Sequence, residues 1–445
     1  MTGPAGAGPG ATDPAVAGSD PRDRGDGLGW VTRAVFPDRR LRLALGAAGD
    51  RGAVPRPGYR VTARYAVVPS LARARFLLPL GRRRVTAASV WAYNALRPLP
   101  VRLPRAVLGL AARFGALELA RPPVLSVSVP VEGVPPGELM LVDHLADRLG
   151  GRRWYAAIGV RPPDPNHKPT VQLFDAGGQP RGYAKIGWND ATRELVRAEA
   201  AALADPPPAG PAPGGHPVVP GVLLAGDWAG QAVTVVEPLP PRVRGLGTGV
   251  AAPETVLAVA RRGGPPATPC PLHGSRFLDR LHRLAAESAA GTAGPAGTAG
   301  TAGGRALAAV RHLADRFGTV TLEFGHWHGD WVPWNLGRHA GQLVAWDWEH
   351  SGPDVPVGFD LAHDAFQRAV VLRSEPVAAA AVEADGQLRR HAGLLGLDAE
   401  RRFVVVQSYL IEMWLRTWRL AAGGAGWNPE LHPALLDVVE QRRVG

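Results

Sequence analysis

Residues 324–349 read FGHWHGDWVPWNLGRHAGQLVAWDWE. The segment places Asp330 directly after His328 and Gly329, Asn335 five residues later, and Asp347 at the end of the apolar run 343–346. A gap of five residues lets a loop turn so that Asp330 and Asn335 face one cavity, and the apolar run reads as a buried strand that delivers Asp347 to its end. This layout is typical of a phosphoryl-transfer site. One carboxylate deprotonates a hydroxyl, while an amide and a second carboxylate hold Mg²⁺.

The same motifs resemble the aminoglycoside phosphotransferase and choline kinase-like families, which are small-molecule kinases with the protein-kinase fold. The resemblance implies a two-lobed α+β, protein-kinase-like fold, with ATP (GTP is also possible) and Mg²⁺ as cofactors. It implies that Asp330 is the catalytic base, that His328 supports the catalytic loop, and that Asn335 and Asp347 are the metal ligands. Asp360, in the segment Gly358-Phe359-Asp360-Leu361-Ala362, corresponds to a residue that braces the loop.

Such a site also needs a lysine that holds phosphates and a glutamate that orients the lysine. The chain contains only two lysines against 48 arginines, and one of them, Lys185, lies in a strand-like run. Glu199 follows 14 residues later in a predicted helix, 190–203, whose start Asp190 or Thr192 could cap. Glu194 is the rival partner, but Glu199 fits the spacing of the family better.

Two further segments are weaker candidates for contact with a nucleotide. Lys168 follows a loop without glycine, where a solvated loop charge is the favoured interpretation. Glu237 and Leu239, in Glu237-Pro238-Leu239-Pro240, resemble the hinge whose backbone meets the adenine in these kinases. An ordinary proline-rich linker explains the same four residues equally well.

Composition divides the chain into four predicted parts. Residues 1–28 are rich in Gly, Ala, Pro and Asp and are expected to be disordered. Residues 29–140 form a basic N-terminal extension, 141–240 a small nucleotide-binding lobe, and 241–445 a helical catalytic lobe with a flexible insert at 291–304. A single cysteine, Cys270, rules out an internal disulfide and suits a reducing cytoplasm. No apolar run is long enough to cross a membrane.

The excess positive charge of the chain is local. Between residues 31 and 124 there are 18 arginines and three acids, a local net charge of +15 against +11 for the whole chain. A basic face beside apolar helices could bind an anionic partner or a membrane surface. An ordinary folded extension is the favoured interpretation, and no specific nucleic-acid motif is present.

Two other readings of the motifs stay open. His326, His328 and Asp330 spell H-x-H-x-D, the beginning of a zinc hydrolase site, although Trp331 stands where such sites carry a further histidine. The second alternative is a kinase-like fold that binds a nucleotide but does not turn it over. The acceptor is expected to be a hydroxyl of a small aminoglycoside-, choline- or sugar-like molecule, and the sequence does not identify it further.

Overall fold

The computed structural model describes residues 20–48, 57–92, 96–97, 99–151, 153–207, 209–210, 214–247, 249–291 and 299–442. The chain divides into two compact units. The N-terminal unit comprises the chain up to Ala92, Leu103–Pro163 and Pro169–Arg181. The C-terminal unit comprises 93–102, Asp164–Lys168 and Gly182–Gly445.

The N-terminal unit is built on an antiparallel sheet of six strands in the order β1-β4-β2-β3-β5-β6. On one face of strand β2, Ala66 packs with Leu78 and with apolar residues of the helices α2 and α3. The elements up to Phe174 are α1 (Gly27–Val35), β1 (Arg42–Gly46), β2 (Tyr59–Val68), β3 (Phe76–Pro79), α2 (Arg83–Trp91), α3 (Leu99–Arg113), α4 (Ala116–Leu119), β4 (Val124–Pro130), α5 (Pro136–Leu139), α6 (Leu141–Arg148), β5 (Tyr155–Gly159) and β6 (Thr170–Phe174).

The expectation of disorder for residues 1–28 is wrong from Asp20 onward, whereas residues 1–19 lie outside the described residues. Pro21–Asp23 form a short 3₁₀ turn, and helix α1 begins at Gly27 with Asp26 as its cap. Arg22 is 2% exposed. Its guanidinium donates hydrogen bonds to the carbonyl oxygens of Phe36, Asp38 and Leu41. Composition missed this order because the segment is fixed by a buried arginine together with only two buried apolar side chains, Pro21 and Leu28.

The C-terminal unit begins with three antiparallel strands in the order β7-β9-β8, followed by helices and short hairpins. Its elements are β7 (Pro180–Gly187), α7 (Asp190–Leu203), β8 (Val222–Trp228), β9 (Gln231–Val236), β10 (Arg244–Gly245), α8 (Pro253–Ala260), β11 (Cys270–Pro271), α9 (Arg276–Ala290), α10 (Ala299–Phe317), β12 (Thr321–Leu322), β13 (Phe324–Trp327), β14 (Leu336–His339), β15 (Gln342–Ala345), β16 (Gly352–Pro356), α11 (Phe359–Gln367), α12 (Val377–Arg390), α13 (Ala392–Leu395), α14 (Ala399–Ala422) and α15 (Leu431–Gln441).

The predicted α+β class is confirmed, because the sheets of both units are antiparallel and the helices follow in separate blocks. The core of the C-terminal unit centres on α14, which is buried along most of its length and packs with α9, α10 and α12. The flexible insert predicted at 291–304 is corrected from Ala299 onward, where helix α10 begins. Residues 292–298 of that insert lie outside the described residues. Among the helices that are described, none is both long and apolar enough to span a bilayer.

Candidate active site

Lys185 and Glu199 form a buried ion pair in the C-terminal unit. Lys185 lies on β7 opposite Thr234 of β9, and Glu199 lies on α7, whose capping box is formed by Asn189 and Thr192. The cap is therefore Asn189, and Thr192 completes it, whereas Asp190 is already helical. The Nζ atom of Lys185 is 2.7 Å from Oε1 of Glu199, and the glutamate is 1% exposed. The predicted pair is thus in contact.

The rival glutamate points elsewhere. Glu194 lies on the same helix, but its side chain is 46% exposed and pairs with Arg419. Residues five apart on an α-helix lie on different faces, because each residue advances the helix by 100°. The structure therefore selects Glu199 as the partner of Lys185.

Lys185 also joins two carboxylates that follow strand β15. Its Nζ atom is 2.5 Å from Oδ1 of Asp347 and 3.9 Å from Oε2 of Glu349. Lys168 donates to Oε1 of Glu349 at 2.8 Å, and both of these side chains are about 10% exposed. The interpretation of Lys168 as a solvated loop charge is therefore wrong. We call these five residues, Lys168, Lys185, Glu199, Asp347 and Glu349, the carboxylate cluster.

Asp347 adopts a backbone conformation that few side chains tolerate. Its φ angle is +71°, in the left-handed region, directly after the strand ends at Ala345. Asp and Asn adopt this region more readily than other residues with a Cβ atom, and such strain is concentrated at functional sites. The turn brings Asp347 to Lys185 and leaves Trp348 buried against the ring of His328, at 4.5 Å between ring centroids.

Burial and charge compete at three ionisable groups of the cluster, Lys185, Asp347 and Glu349. Burial lowers the pKa of Lys185, but Asp347, Glu199 and Glu349 together raise it well above its ordinary value. Burial raises the pKa of Asp347, and the ammonium of Lys185 more than reverses this shift. Burial and the nearby charge of Asp347 raise the pKa of Glu349 to about 7. The cluster therefore holds a charged lysine against a charged Asp347, with Glu349 near its titration point at neutral pH.

Asp330 is positioned by two side chains. The Nδ2 atom of Asn335 donates to Oδ2 of Asp330 at 2.7 Å, and Nε2 of His363 is 3.2 Å from Oδ1. The Nδ1 atom of His363 lies 3.0 Å from the hydroxyl of Tyr409. Burial lowers the pKa of His363, so the ring is neutral at pH 7. Both contacts are satisfied by the tautomer in which Nε2 donates to Asp330 and Nδ1 accepts from Tyr409.

The carboxylate of Asp330 is ionised at neutral pH. Burial raises its pKa, but the hydrogen bond that it accepts from His363 contributes to holding the pKa below its ordinary value. The side chain is 28% exposed, so it remains accessible from solvent. An ionised and accessible carboxylate fixed by an amide and an imidazole can accept a proton from a bound hydroxyl.

Side chains of helices α11 and α14 form hydrogen bonds with the backbone of the loop that carries Asp330, residues 328–335. Asp360 of α11 accepts hydrogen bonds from the backbone N–H groups of His328, at 2.7 Å, and Gly329, at 3.0 Å. The guanidinium of Arg416 on α14 donates to the carbonyl of Gly329 at 2.7 Å. Burial raises the pKa of Asp360 to about 7, although the two N–H groups oppose this shift. Asp360 thus makes the bracing contacts that the resemblance implies.

His328 is fully buried, and both of its ring nitrogens are occupied by the protein. Its Nδ1 atom accepts from the backbone N–H of Asp330 at 3.2 Å, and its Nε2 atom lies 3.1 Å from the carbonyl of Trp346. Burial lowers its pKa to about 4, so it is neutral. No lone pair remains for a zinc ion, and the alternative zinc site with His326, His328 and Asp330 is therefore rejected. His328 instead connects the Asp330 loop to the segment that leads to Asp347.

The oxygen atoms near Lys185 fit a hard divalent cation. Carboxylate oxygens of Glu199, Asp347 and Glu349 lie within 4.8 Å of one another. Oε2 of Glu199 and Oε2 of Glu349 are buried and accept no hydrogen bond among the described residues. The backbone N–H of Trp346 donates to the carbonyl of Asn335 at 3.1 Å, which places Asn335 beside the residue that precedes Asp347. Oxygen ligands in small number suit Mg²⁺.

The hinge candidates follow strand β9. Glu237 is exposed, and its carboxylate accepts from the backbone N–H of Gly221 at 3.1 Å, while its own N–H donates to the carbonyl of Gly221 at 2.8 Å. Leu239 is half-buried. Contact of this segment with an adenine stays a prediction.

Four residues of the site were not predicted as members. Glu349 stands two residues after Asp347, and Lys168 is one of only two lysines, so both carried a signal in the sequence. His363 and Arg416 carried none, because they reach the Asp330 loop only through the packing of α11 and α14.

Comparison with known proteins gives structural similarity alone. No family model and no curated protein matches the chain. Solved structures of small-molecule kinases do resemble it. A thermostable mutant of an aminoglycoside phosphotransferase shares 14% identity over 67% of this chain and 98% of that chain, with a TM-score of 0.40. A choline kinase from Streptococcus pneumoniae shares 12% identity over 64% and 90%, with a TM-score of 0.38. An amicoumacin kinase, solved with AMP-PNP and Ca²⁺, shares 13% over 63% and 87%, with a TM-score of 0.35. The function proposed below rests on the side chains of the site.

Proposed function

We propose that the protein transfers the γ-phosphoryl group of ATP, or of GTP, to a hydroxyl group of a small molecule. The observation that carries this proposal is the convergence of Lys185, Glu199 and Asp347 in one buried cluster, together with an ionised Asp330 that Asn335 holds in place. Phosphoryl transfer needs these groups: a cation for phosphate, carboxylates for metal and a base for the acceptor.

Each residue has a role that follows from its contacts. Lys185, oriented by Glu199, would hold the α- and β-phosphates. Asn335 and Asp347, joined by Glu349, would hold Mg²⁺. When bound, ATP would supply the phosphoryl group, and Mg²⁺ would neutralise the charge of the phosphates. Asp330 would accept the proton of the acceptor hydroxyl. His328, which contacts the backbone of both Asp330 and Trp346, would fix the position of the Asp330 loop relative to Asp347.

Nucleotide binding is tested by a thermal-shift titration with ATP and GTP, each with and without Mg²⁺. We expect a rise in Tm that needs Mg²⁺ and is lost in Asp347→Ala. The matched control is Asp354→Ala, because Asp354 also has a positive φ angle, +57°, but lies outside the carboxylate cluster. Unchanged Mg-ATP binding by Asp347→Ala would refute the metal assignment.

The orienting role of Glu199 has its own matched pair. Glu199→Gln should weaken nucleotide binding or turnover, whereas Glu194→Gln, on the exposed face of the same helix, should not. Equal effects of the two variants on nucleotide binding and turnover would refute the proposed role of Glu199.

Turnover is tested with a screen of hydroxylated amines and sugars as acceptors. Asp330→Asn should keep the Mg-ATP shift and lose turnover by a factor of about 10²–10⁴, the usual contribution of a general base. Mg-ATP binding without turnover of any acceptor would favour the nucleotide-binding module. Full turnover by Asp330→Asn would refute its role as the base.

A further inference from the structure

The N-terminal unit contains a cavity of about 490 Å³, and none of the residues of the candidate active site lines it. Five consecutive residues of β2, from Val61 to Tyr65, contribute to its lining. The pairing of β2 with β4 is shifted between Val61 and Ala63, and a bulge of this kind bends a strand. The volume falls within the range of about 300–1,000 Å³ that is usual for small-molecule sites.

Two polar groups of the lining lack partners in the protein. Tyr65 is 3% exposed, and among the described residues its hydroxyl has no hydrogen-bond partner. Asp143, at the start of helix α6, likewise forms no hydrogen bond or ion pair with the described residues. Both side chains line the same cavity, and burial raises the pKa of each. Asp143 is half-buried, and a ligand with matching groups would supply the hydrogen-bond partners that these two side chains lack.

The lining carries charges of both signs, which matches neither a strongly anionic nor a strongly cationic ligand. Its ionisable acids and bases are Arg64 and Arg153 against Asp143 and Glu118. Glu118 is already paired with Arg83, with 3.1 Å between Oε2 and Nε. An anion would meet Asp143, and a cation would meet the two arginines.

The remaining surface is aromatic and apolar. The guanidinium of Arg153 lies 5.5 Å from the centroid of the Tyr155 ring, and Trp154 and Tyr65 add two further aromatic rings to the lining. Aromatic faces pack well against the C–H faces of a saturated ring. A hydroxyl group both donates and accepts, so it can donate to Asp143 and accept from an arginine in the same site.

We propose that this cavity binds a neutral, polyhydroxylated ring compound of the sugar or cyclitol class. Asp143 and Tyr65 would bind hydroxyls in the interior, and the aromatic side chains would cover the ring. The site belongs to the N-terminal unit and does not depend on the function proposed for the C-terminal unit.

The test is calorimetric titration of the full chain with glucose, maltose and myo-inositol as neutral probes. Choline and spermidine serve as cations, and citrate and inorganic phosphate as anions. We expect at least one neutral probe to bind. Asp143→Asn and Tyr65→Phe should each weaken that binding about tenfold, which corresponds to about 1.4 kcal/mol.

Two variants control the interpretation. Asp147→Asn makes the same chemical change on helix α6 at an exposed position and should leave binding of the neutral probe unchanged. Asp347→Ala, in the carboxylate cluster, should also leave it unchanged while removing any Mg-ATP shift. Circular dichroism establishes that each variant is folded.

Three results would overturn the proposal. The first is that no neutral probe binds, and the second is that a cation or an anion binds more tightly than the neutral probes. The third is that Asp143→Asn and Tyr65→Phe both leave the binding of the neutral probe unchanged. Loss of neutral-probe binding in Asp347→Ala would move the site to the C-terminal unit and would also count against it.

Discussion

Replacing Gly329 by alanine would force a methyl group against the backbone of His350. Gly329 has φ +78°, and a Cβ atom added there would lie 2.1 Å from the carbonyl oxygen of His350. Gly341, in the turn between β14 and β15, has nearly the same φ of +82°, but an added Cβ atom would meet nothing within 4 Å. The two glycines therefore share the conformational strain and differ in the contact.

The expected costs follow from that comparison. A left-handed conformation costs a residue with a Cβ atom about 1–2 kcal/mol, which is the whole effect expected for Gly341→Ala. Gly329→Ala adds about 1–3 kcal/mol for the overpacked contact, so its free energy of unfolding should fall by about 2–5 kcal/mol. Because Gly329 lies between His328 and Asp330, its displacement should also reduce phosphoryl transfer by about 10²-fold, the usual effect of a 1 Å misplacement.

The assay is urea unfolding of both variants, followed by circular dichroism and tryptophan fluorescence, with turnover measured on the folded proteins. A difference of less than about 0.5 kcal/mol between the two variants, which is near the limit of such comparisons, would refute the reasoning. It would mean that the Asp330 loop is not fixed against His350.

Three further predictions concern the support of the site and the pH dependence of folding. Asp360→Asn should lower the free energy of unfolding by about 2–4 kcal/mol, because the two buried N–H groups reach different oxygens and the amide replaces one of these with an NH₂ donor. A loss below about 1 kcal/mol in urea would contradict this. Lys185→Met leaves buried carboxylates uncompensated and should lower the free energy of unfolding by about 3–5 kcal/mol. Arg181→Met, on the same strand, removes the exposed pair of Arg181 with Asp175 and should lower it by at most about 1 kcal/mol. Equal Tm values for the two variants would contradict this difference. Burial lowers the pKa of His432 to about 4, so its neutral form stabilises the fold above about pH 6.5, and this stability is lost as the pH falls towards 4. Between pH 7 and pH 5 this histidine should contribute a loss of about 2 kcal/mol, so the fall in unfolding free energy between the two pH values should be smaller by that amount in His432→Gln.

The predicted site residues could be named from the sequence because their signals are local. Asp330 and Asn335 are five residues apart, and Asp347 ends a short apolar run. The approach of Lys185 to Asp347 joins positions 162 residues apart, so spacing alone could not predict that distance. The prediction that Lys185 and Asp347 belong to one site came instead from the order of the motifs along the chain.

Other parts of the site could not be predicted, because tertiary packing alone creates them. The loop before Lys168 contains no glycine that could cradle a phosphate, so the sequence favours a solvated charge there, yet Lys168 pairs with Glu349 and most of its side chain is buried. His363 becomes the partner of Asp330 only when helix α11 places it there. The lining of the cavity near Asp143 comes from several strands and two helices, and no local sequence pattern marks it.

The two lysines make the carboxylate cluster chemically distinct from the rest of the protein. Lys168 and Lys185 are the only lysines in the chain, and both ammonium groups end among the same carboxylates. Apart from the α-amino group, an amine-directed acyl label or cross-linker can therefore react at this one place only. Mass-spectrometric labelling of the protein thus reports directly on occupancy of the cluster, and acetylation of lysine in a cell would modify this site and no other surface.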